Sequence, residues 1–164
     1  MVLWLGFGLP DGMMGLNEPN PGFMTDPMQW PNSSLNADMT AINATRVQQG
    51  LHRFHLYGDK IFQPDHNLYA AYSRRWGVVQ NWMRQYNRIM SPLRVSVEWS
   101  YGKVKYLFKK LSLKMAQKMM LNSPVDDFIL ATFFSNCRTC YNWDGPFRKT
   151  FGVPPPSIDD YIGQ

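Results

Sequence analysis

The sequence predicts an α/β domain, and three observations carry that expectation. A turn signal with short apolar runs on either side stands near the N-terminus, at Pro10-Asp11-Gly12. Residues 52–57 alternate and end at Gly58-Asp59, which reads as a strand finishing in a carboxylate. Apolar residues then recur at three- and four-residue intervals through much of the second half, the spacing of helices with one buried face.

Taken in order, residues 1–50 are rich in Gly, Pro, Asn and Ser and show no sustained period. They read as a loop-rich region with a β-hairpin at Pro10-Asp11-Gly12 and a long irregular loop over 17–36. After the strand at 52–57, Tyr72, Trp76, Val79, Met83 and Tyr86 predict a helix over about 67–88. Ser91 followed by Pro92 reads as an N-cap and first helical position, because proline's missing N–H costs nothing there. Val97, Tyr101, Val104, Phe108 and Leu111 then form one apolar stripe. A further helix is expected from about Val125 to Tyr141, with Asp126 and Asp127 in its first turn. A Pro-rich tail over 151–164 ends in a short segment, Ser157 to Ile162. The expected organisation is one domain, its site carried by residues 51–150.

At 164 residues the chain suits a single domain. Its 45% hydrophobic and 18% charged composition excludes a disordered tail. The longest apolar runs, Val2 to Leu9 and Phe128 to Phe134, fall far short of the roughly 20 residues of a membrane span. No basic residue precedes the first of them, so secretion is not expected. Cys137 and Cys140 form a single Cys-x-x-Cys with no second pair, and read as two buried thiols near a helix end in a reducing compartment.

Charge is distributed unevenly. Residues 1–58 carry Arg46 and Arg53 against four acids, whereas residues 60–118 carry twelve Lys and Arg against Asp65 and Glu98 alone. Such a concentration, interleaved with Tyr and Trp, suits a polyanion-binding face. Two solvated helix faces with a basic bias would look the same. Glu98, the only acid between Asp65 and Asp126, is either a partner for Arg94 one turn before it or a metal ligand. In the second case Asp59 at a strand end is its natural companion, and two such carboxylates favour an oxygen-loving ion such as Mg²⁺ or Mn²⁺.

The stretch from Asn87 to Val104, with Asn87, then Arg94-x-x-x-Glu98, then Tyr101-Gly102 and a basic run, resembles the signature of the DDE superfamily endonucleases of the Harbinger (PIF) transposase group. Tyr57-Gly58-Asp59 resembles that family's strand ending in Gly-Asp, with the two carboxylates 39 positions apart. Pro124-Val125, Asn136-Cys137, Cys140, Phe151, Pro154-Pro155-Pro156-Ser157 and Tyr161 are similar to the tail of its fungal members. The Pro10-Asp11-Gly12 turn resembles the one between the family's second and third strands.

The resemblance implies an RNase H-like fold, a mixed sheet flanked by helices, truncated at its N-terminus. It implies metal-dependent cleavage and transfer of DNA phosphodiesters, in which an Asp, an Asp and a Glu hold two divalent ions. Asp59 corresponds to the second carboxylate and Glu98 to the third. The first belongs upstream of the Pro-Asp-Gly turn, where residues 1–9 contain no acid. Gly22-Phe23-Met24-Thr25-Asp26 falls on the family's Gly and His-Asp loop, with Thr25 in place of His, which leaves Asp26 as a substitute ligand. The expectation is a nuclease weakened or inactivated by the missing Asp, or a non-catalytic DNA-binding or protein-interaction remnant. DNA is the expected partner, with an accessory DNA-binding protein, in the nucleus. Arg74, Arg75, Arg84, Arg88, Lys103, Lys105, Lys109 and Lys110 are the residues expected on phosphates.

Overall fold

The computed structural model describes residues 2–3, 5–21, 24–112, 124–143 and 146–163. The chain is mixed α/β: helices dominate, and the strands form two-stranded pairings. The strands are β1 (Val2–Leu3), β2 (Gly6–Gly8), β3 (Met14–Leu16), β4 (Asn20–Pro21), β5 (Leu56–Gly58) and β6 (Leu68–Ala70). The helices are α1 (Asp26–Gln29), α2 (Ser34–Gln48), α3 (Asn81–Leu107), α4 (Pro124–Tyr141), α5 (Pro146–Phe151) and α6 (Ile158–Ile162). β1 pairs with β4, β2 with β3 and β5 with β6.

Contacts divide the chain into two compact units. The first comprises residues 1–2, 6–16 and 95–164; the second comprises 3–5 and 17–94.

In the first unit, β2 and β3 form the expected hairpin, antiparallel with Phe7 opposite Gly15. Its turn is closed by the Leu9 N–H donating to the Met13 carbonyl at 2.9 Å, while Asp11 Oδ1 accepts the Met13 N–H at 2.9 Å. Gly12 adopts φ +87°, a conformation open to glycine, and the Phe147 ring packs directly against it. The core joins Met14, Val104 and Ala131, with Tyr101, Phe108, Leu111 and Phe128 packed around them. Helix α4 spans nearly the range its sequence predicts. Its buried Asn136 holds β3 through both backbone groups of Met14, accepting the N–H at 3.0 Å and donating to the carbonyl at 2.9 Å. The same amide donates to the Tyr161 hydroxyl at 3.1 Å, which ties α6 to α4. Ser100, Thr132 and Thr139 are buried, and each hydroxyl donates to the carbonyl four residues back, so small polar residues face inward without orphaned groups.

In the second unit, Leu5, Trp30, Phe62, Leu68 and Ala70 form the core, with Leu35 and Leu56 against it. β5 and β6 are parallel, Leu56 opposite Leu68 and Gly58 opposite Ala70. Asp65 organises the short connection between them: Oδ1 accepts the N–H groups of Asn67 and Leu68, and Oδ2 accepts the Trp30 indole N–H at 2.6 Å. The expected irregular loop over 17–36 is instead largely ordered, with α1, a 3-10 turn at Trp30–Asn32 and the start of α2. The Ser33 hydroxyl caps α2 by accepting the Asn36 N–H at 3.1 Å. Asn43, 2% exposed, donates to the Phe54 carbonyl and to Asn67 Oδ1 and accepts the Phe54 N–H at 2.7 Å.

Two helix expectations need correction. Residues 67–88 are not one helix: β6 occupies 68–70, a 3-10 turn 74–76, and α3 begins only at Asn81. Gly77 at φ +121° ends the 3-10 turn, and pairing of Leu68–Ala70 with β5 outweighs the helical spacing of the aromatics. Nor do Ser91 and Pro92 start a helix. Pro92 lies inside α3, at an exposed stretch where water can reach the carbonyl its missing N–H leaves unpaired. The strand expected at 52–57 is shorter, beginning at Leu56.

Candidate functional site

Asp59 follows β5 directly, at the carboxyl end of a parallel strand where α/β folds gather functional groups. It is half-buried, and its Oδ1 accepts the Lys60 N–H at 2.7 Å. The Asp59 carbonyl accepts the Phe62 N–H at 3.0 Å, closing the turn that positions the carboxylate. Glu98 lies on α3 and is exposed. Asp59 belongs to the second unit and Glu98 to the first. Asp26 opens α1 and is half-buried, and burial pushes its carboxyl above the ordinary aspartate value. Gly22 and Phe23 of the expected loop motif lie outside the described residues.

Beside β5 the second unit assembles an aromatic cluster. The Tyr57 ring meets Tyr86 edge-on at 6.1 Å; Tyr72 meets Tyr86 at 5.4 Å and Trp82 at 5.2 Å, also edge-on. Asn87 fastens the arrangement to the backbone: it accepts the Tyr72 N–H at 2.9 Å and donates to the Tyr72 carbonyl at 2.8 Å. This gives Asn87, the first residue of the resembling motif, a positioning role at the start of α3. Burial, and then Tyr86, raise the Tyr57 hydroxyl above its ordinary pKa; Arg94 opposes the shift and Asp59 adds to it. Tyr86 is raised by burial and then by Tyr72.

The second unit also carries four of the arginines expected on phosphates. Arg74 and Arg75 sit on the 3-10 turn between β6 and α3, and Arg84 and Arg88 stand one turn apart on α3; all four are exposed. In the first unit Lys105 and Lys109 are exposed as well. Lys103 differs from the expectation. It is half-buried, its ammonium donates to the Thr139 hydroxyl, and burial, followed by the charge of Arg138, lowers its pKa. The side chain of Lys110, and Lys114 and Lys118 of the basic run, lie outside the described residues.

The thiols of Cys137 and Cys140 are free and half-buried on α4. Burial, and then the neighbouring Cys137, hold the Cys140 thiol above its ordinary value, so it stays protonated at neutral pH. Among the described residues, no three or more His, Cys, Asp or Glu side chains cluster as a metal site, and no helix is long and apolar enough to cross a membrane.

Sequence reasoning missed Trp143, whose indole Nε1 is buried without a hydrogen-bond partner, and the roles of Arg138 and Asp11 beside it. Only the three- and four-residue spacing of Trp99, Lys103 and Tyr106 signalled that those residues share a face.

No protein-family model matches the chain, and no curated protein or solved structure is significantly similar to it.

Proposed function

We propose that this chain is a nucleic-acid-binding domain of the DDE endonuclease type, with an RNase H-like core, acting on DNA in the nucleus. The observation that carries the proposal is the quartet Arg74, Arg75, Arg84 and Arg88, exposed in one unit alongside the Tyr57–Tyr72–Trp82–Tyr86 cluster. Guanidinium groups engage phosphate oxygens in a fixed fork. The rings hold together the strand exit and the helix start that carry those arginines. Contacts of this kind orient a duplex without reading its sequence.

A residual nuclease activity is the second part of the reading. Asp59 at the end of β5 supports it, because a strand end is where the resembling family keeps its second carboxylate. A divalent ion such as Mg²⁺ keeps several waters and accepts as few as one carboxylate, which suits Asp59 as its protein ligand. When bound, such an ion would polarise a phosphodiester oxygen. Asp26, half-buried at the start of α1, is the remaining candidate for a further ligand. A single carboxylate supplies fewer ligands than a two-metal centre needs to hold both ions, so turnover is expected to be slow. An accessory DNA-binding protein would supply the target recognition that phosphate contacts lack.

Fluorescence anisotropy of a labelled random-sequence duplex tests the binding reading. Saturable, salt-sensitive binding that is indifferent to sequence is expected; no binding at low salt would exclude it. Incubating supercoiled plasmid with Mg²⁺ or Mn²⁺ tests the chemistry, with nicking expected to be slow and lost in Asp59→Asn.

A further inference from the structure

The first unit contains a cavity of about 340 Å³, near the lower end of the size of small-molecule sites. Helix α3 lines it with Trp99, Lys103 and Tyr106, which share one face of the helix. Arg138 contributes from the last turn of α4, Trp143 from the segment after it, and Asp11 from the hairpin turn.

The chemistry of this lining is one-sided. Asp11 is its acid, and one of that carboxylate's oxygens already accepts the Met13 N–H. Lys103 spends one of its three N–H donors on Thr139, whose hydroxyl in turn donates to the Ser135 carbonyl. Among the described lining residues Asp11 is the one carboxylate to set against the remaining ammonium donors and the exposed Arg138 guanidinium. Trp143 adds a buried indole N–H with no partner, a group that normally finds one when buried. Burial and Arg138 together disfavour the Lys103 charge, a penalty that a bound anion would offset. Surplus donors beside flat aromatic faces call for a planar ligand that carries a negative charge.

We propose that this cavity binds a nucleotide, with the base against Trp99, Tyr106 and Trp143 and the phosphate at Lys103 and Arg138. Aromatic faces accept any base by stacking, so the site is tolerant of base identity. Two sources share this chemistry: a free nucleoside monophosphate, or an unpaired nucleotide within a strand. The inference rests on the proposed nucleic-acid function only for the second source.

Tryptophan fluorescence and calorimetry on the full chain provide the test, with AMP, adenosine, inorganic phosphate, a short single-stranded oligonucleotide and a random duplex as probes. AMP should bind at least about tenfold more tightly than adenosine or phosphate, because both halves of the ligand are engaged. Arg138→Gln and Tyr106→Ala change exposed side chains, Tyr106 being 78% exposed, so the fold should survive; each should weaken AMP at least about fivefold. A single strand that binds more tightly than AMP identifies the strand source, and AMP equal or tighter identifies the free nucleotide; either ranking supports the site. Arg84→Gln/Arg88→Gln should leave AMP affinity unchanged while weakening the duplex. Retained AMP binding with no duplex binding would overturn the proposed function and keep the cavity site. Equal affinity for AMP and adenosine, no saturable AMP binding, or AMP affinity indifferent to both cavity variants would overturn the inference.

Discussion

Replacing Arg84 and Arg88 together by Gln should halve the salt dependence of DNA binding while leaving the fold intact. Both residues are exposed on α3, one turn apart, and Gln keeps much of their length and their helix propensity. If Arg74, Arg75, Arg84 and Arg88 each neutralise one phosphate, the affinity falls with a slope of about −3.6 in log K against log salt, at roughly 0.9 per contact. The double variant retains two contacts and a slope of about −1.8. Between about 50 and 200 mM salt the natural chain then loses affinity about 150-fold, the variant only about 12-fold. Anisotropy titrations of a random-sequence duplex at four or five salt concentrations measure both slopes. Circular dichroism confirms that the helices persist. The loss should be the same for unrelated duplex sequences. A slope unchanged by the double substitution would show that these guanidinium groups face only water, and would refute their assignment to phosphates.

Three further outcomes follow from the side-chain environments. Asn43→Ala leaves the Phe54 N–H and carbonyl and the Asn67 side chain without their partner, and should lower the unfolding free energy by about 1–3 kcal/mol in urea titration; a loss below about 0.5 kcal/mol would show that water replaces those bonds. Because the Lys103 pKa is lowered on folding, the folded chain binds fewer protons than the unfolded chain above that lowered value, and stability contributed by this group rises with pH. Lys103→Met should therefore be the more stable form near neutrality, with the gap closing as pH rises toward about 10; a gap independent of pH would refute the burial penalty. Asp26 has a raised pKa, so its ionisation opposes folding as pH climbs through the folded value. Asp26→Asn should stabilise the chain at pH 7 in thermal unfolding, and the advantage should vanish as pH falls below about 4; an advantage that persists there would mean the charge is not its cause.

Where local chemistry decided the structure, the sequence was legible. The hairpin at Pro10-Asp11-Gly12 and helix α4 were both readable, one from turn residues and the other from a continuous helical stretch with acids in its first turn. Helix α2 was not, because its buried positions are Met39 and the polar Asn43, which leave no apolar stripe to detect. Tyr72 and Trp76 kept helical spacing with Tyr86, yet their segment is shaped by the β5–β6 pairing and by Gly77, both beyond the reach of a periodicity argument. Pro92 carried a sound start signal, but it lies within α3 at an exposed position, where water can reach the carbonyl it leaves unpaired. The same division holds for functional groups. Asp59 at a strand end was readable from its Tyr-Gly-Asp context. The cavity at Trp143 was not, since its lining comes from a hairpin turn and three helical segments far apart in sequence.

Retardation of supercoiled plasmid in a native gel tests the central claim most directly, with the full chain and Mg²⁺ at low salt. If the proposed function holds, phosphate contacts through exposed arginines should retard the plasmid, and an incomplete metal-binding set should leave it supercoiled over minutes, with a faint nicked band after hours. Unretarded plasmid at the lowest salt would contradict the DNA-binding claim, and rapid conversion to nicked or linear form would contradict the claim of weak chemistry.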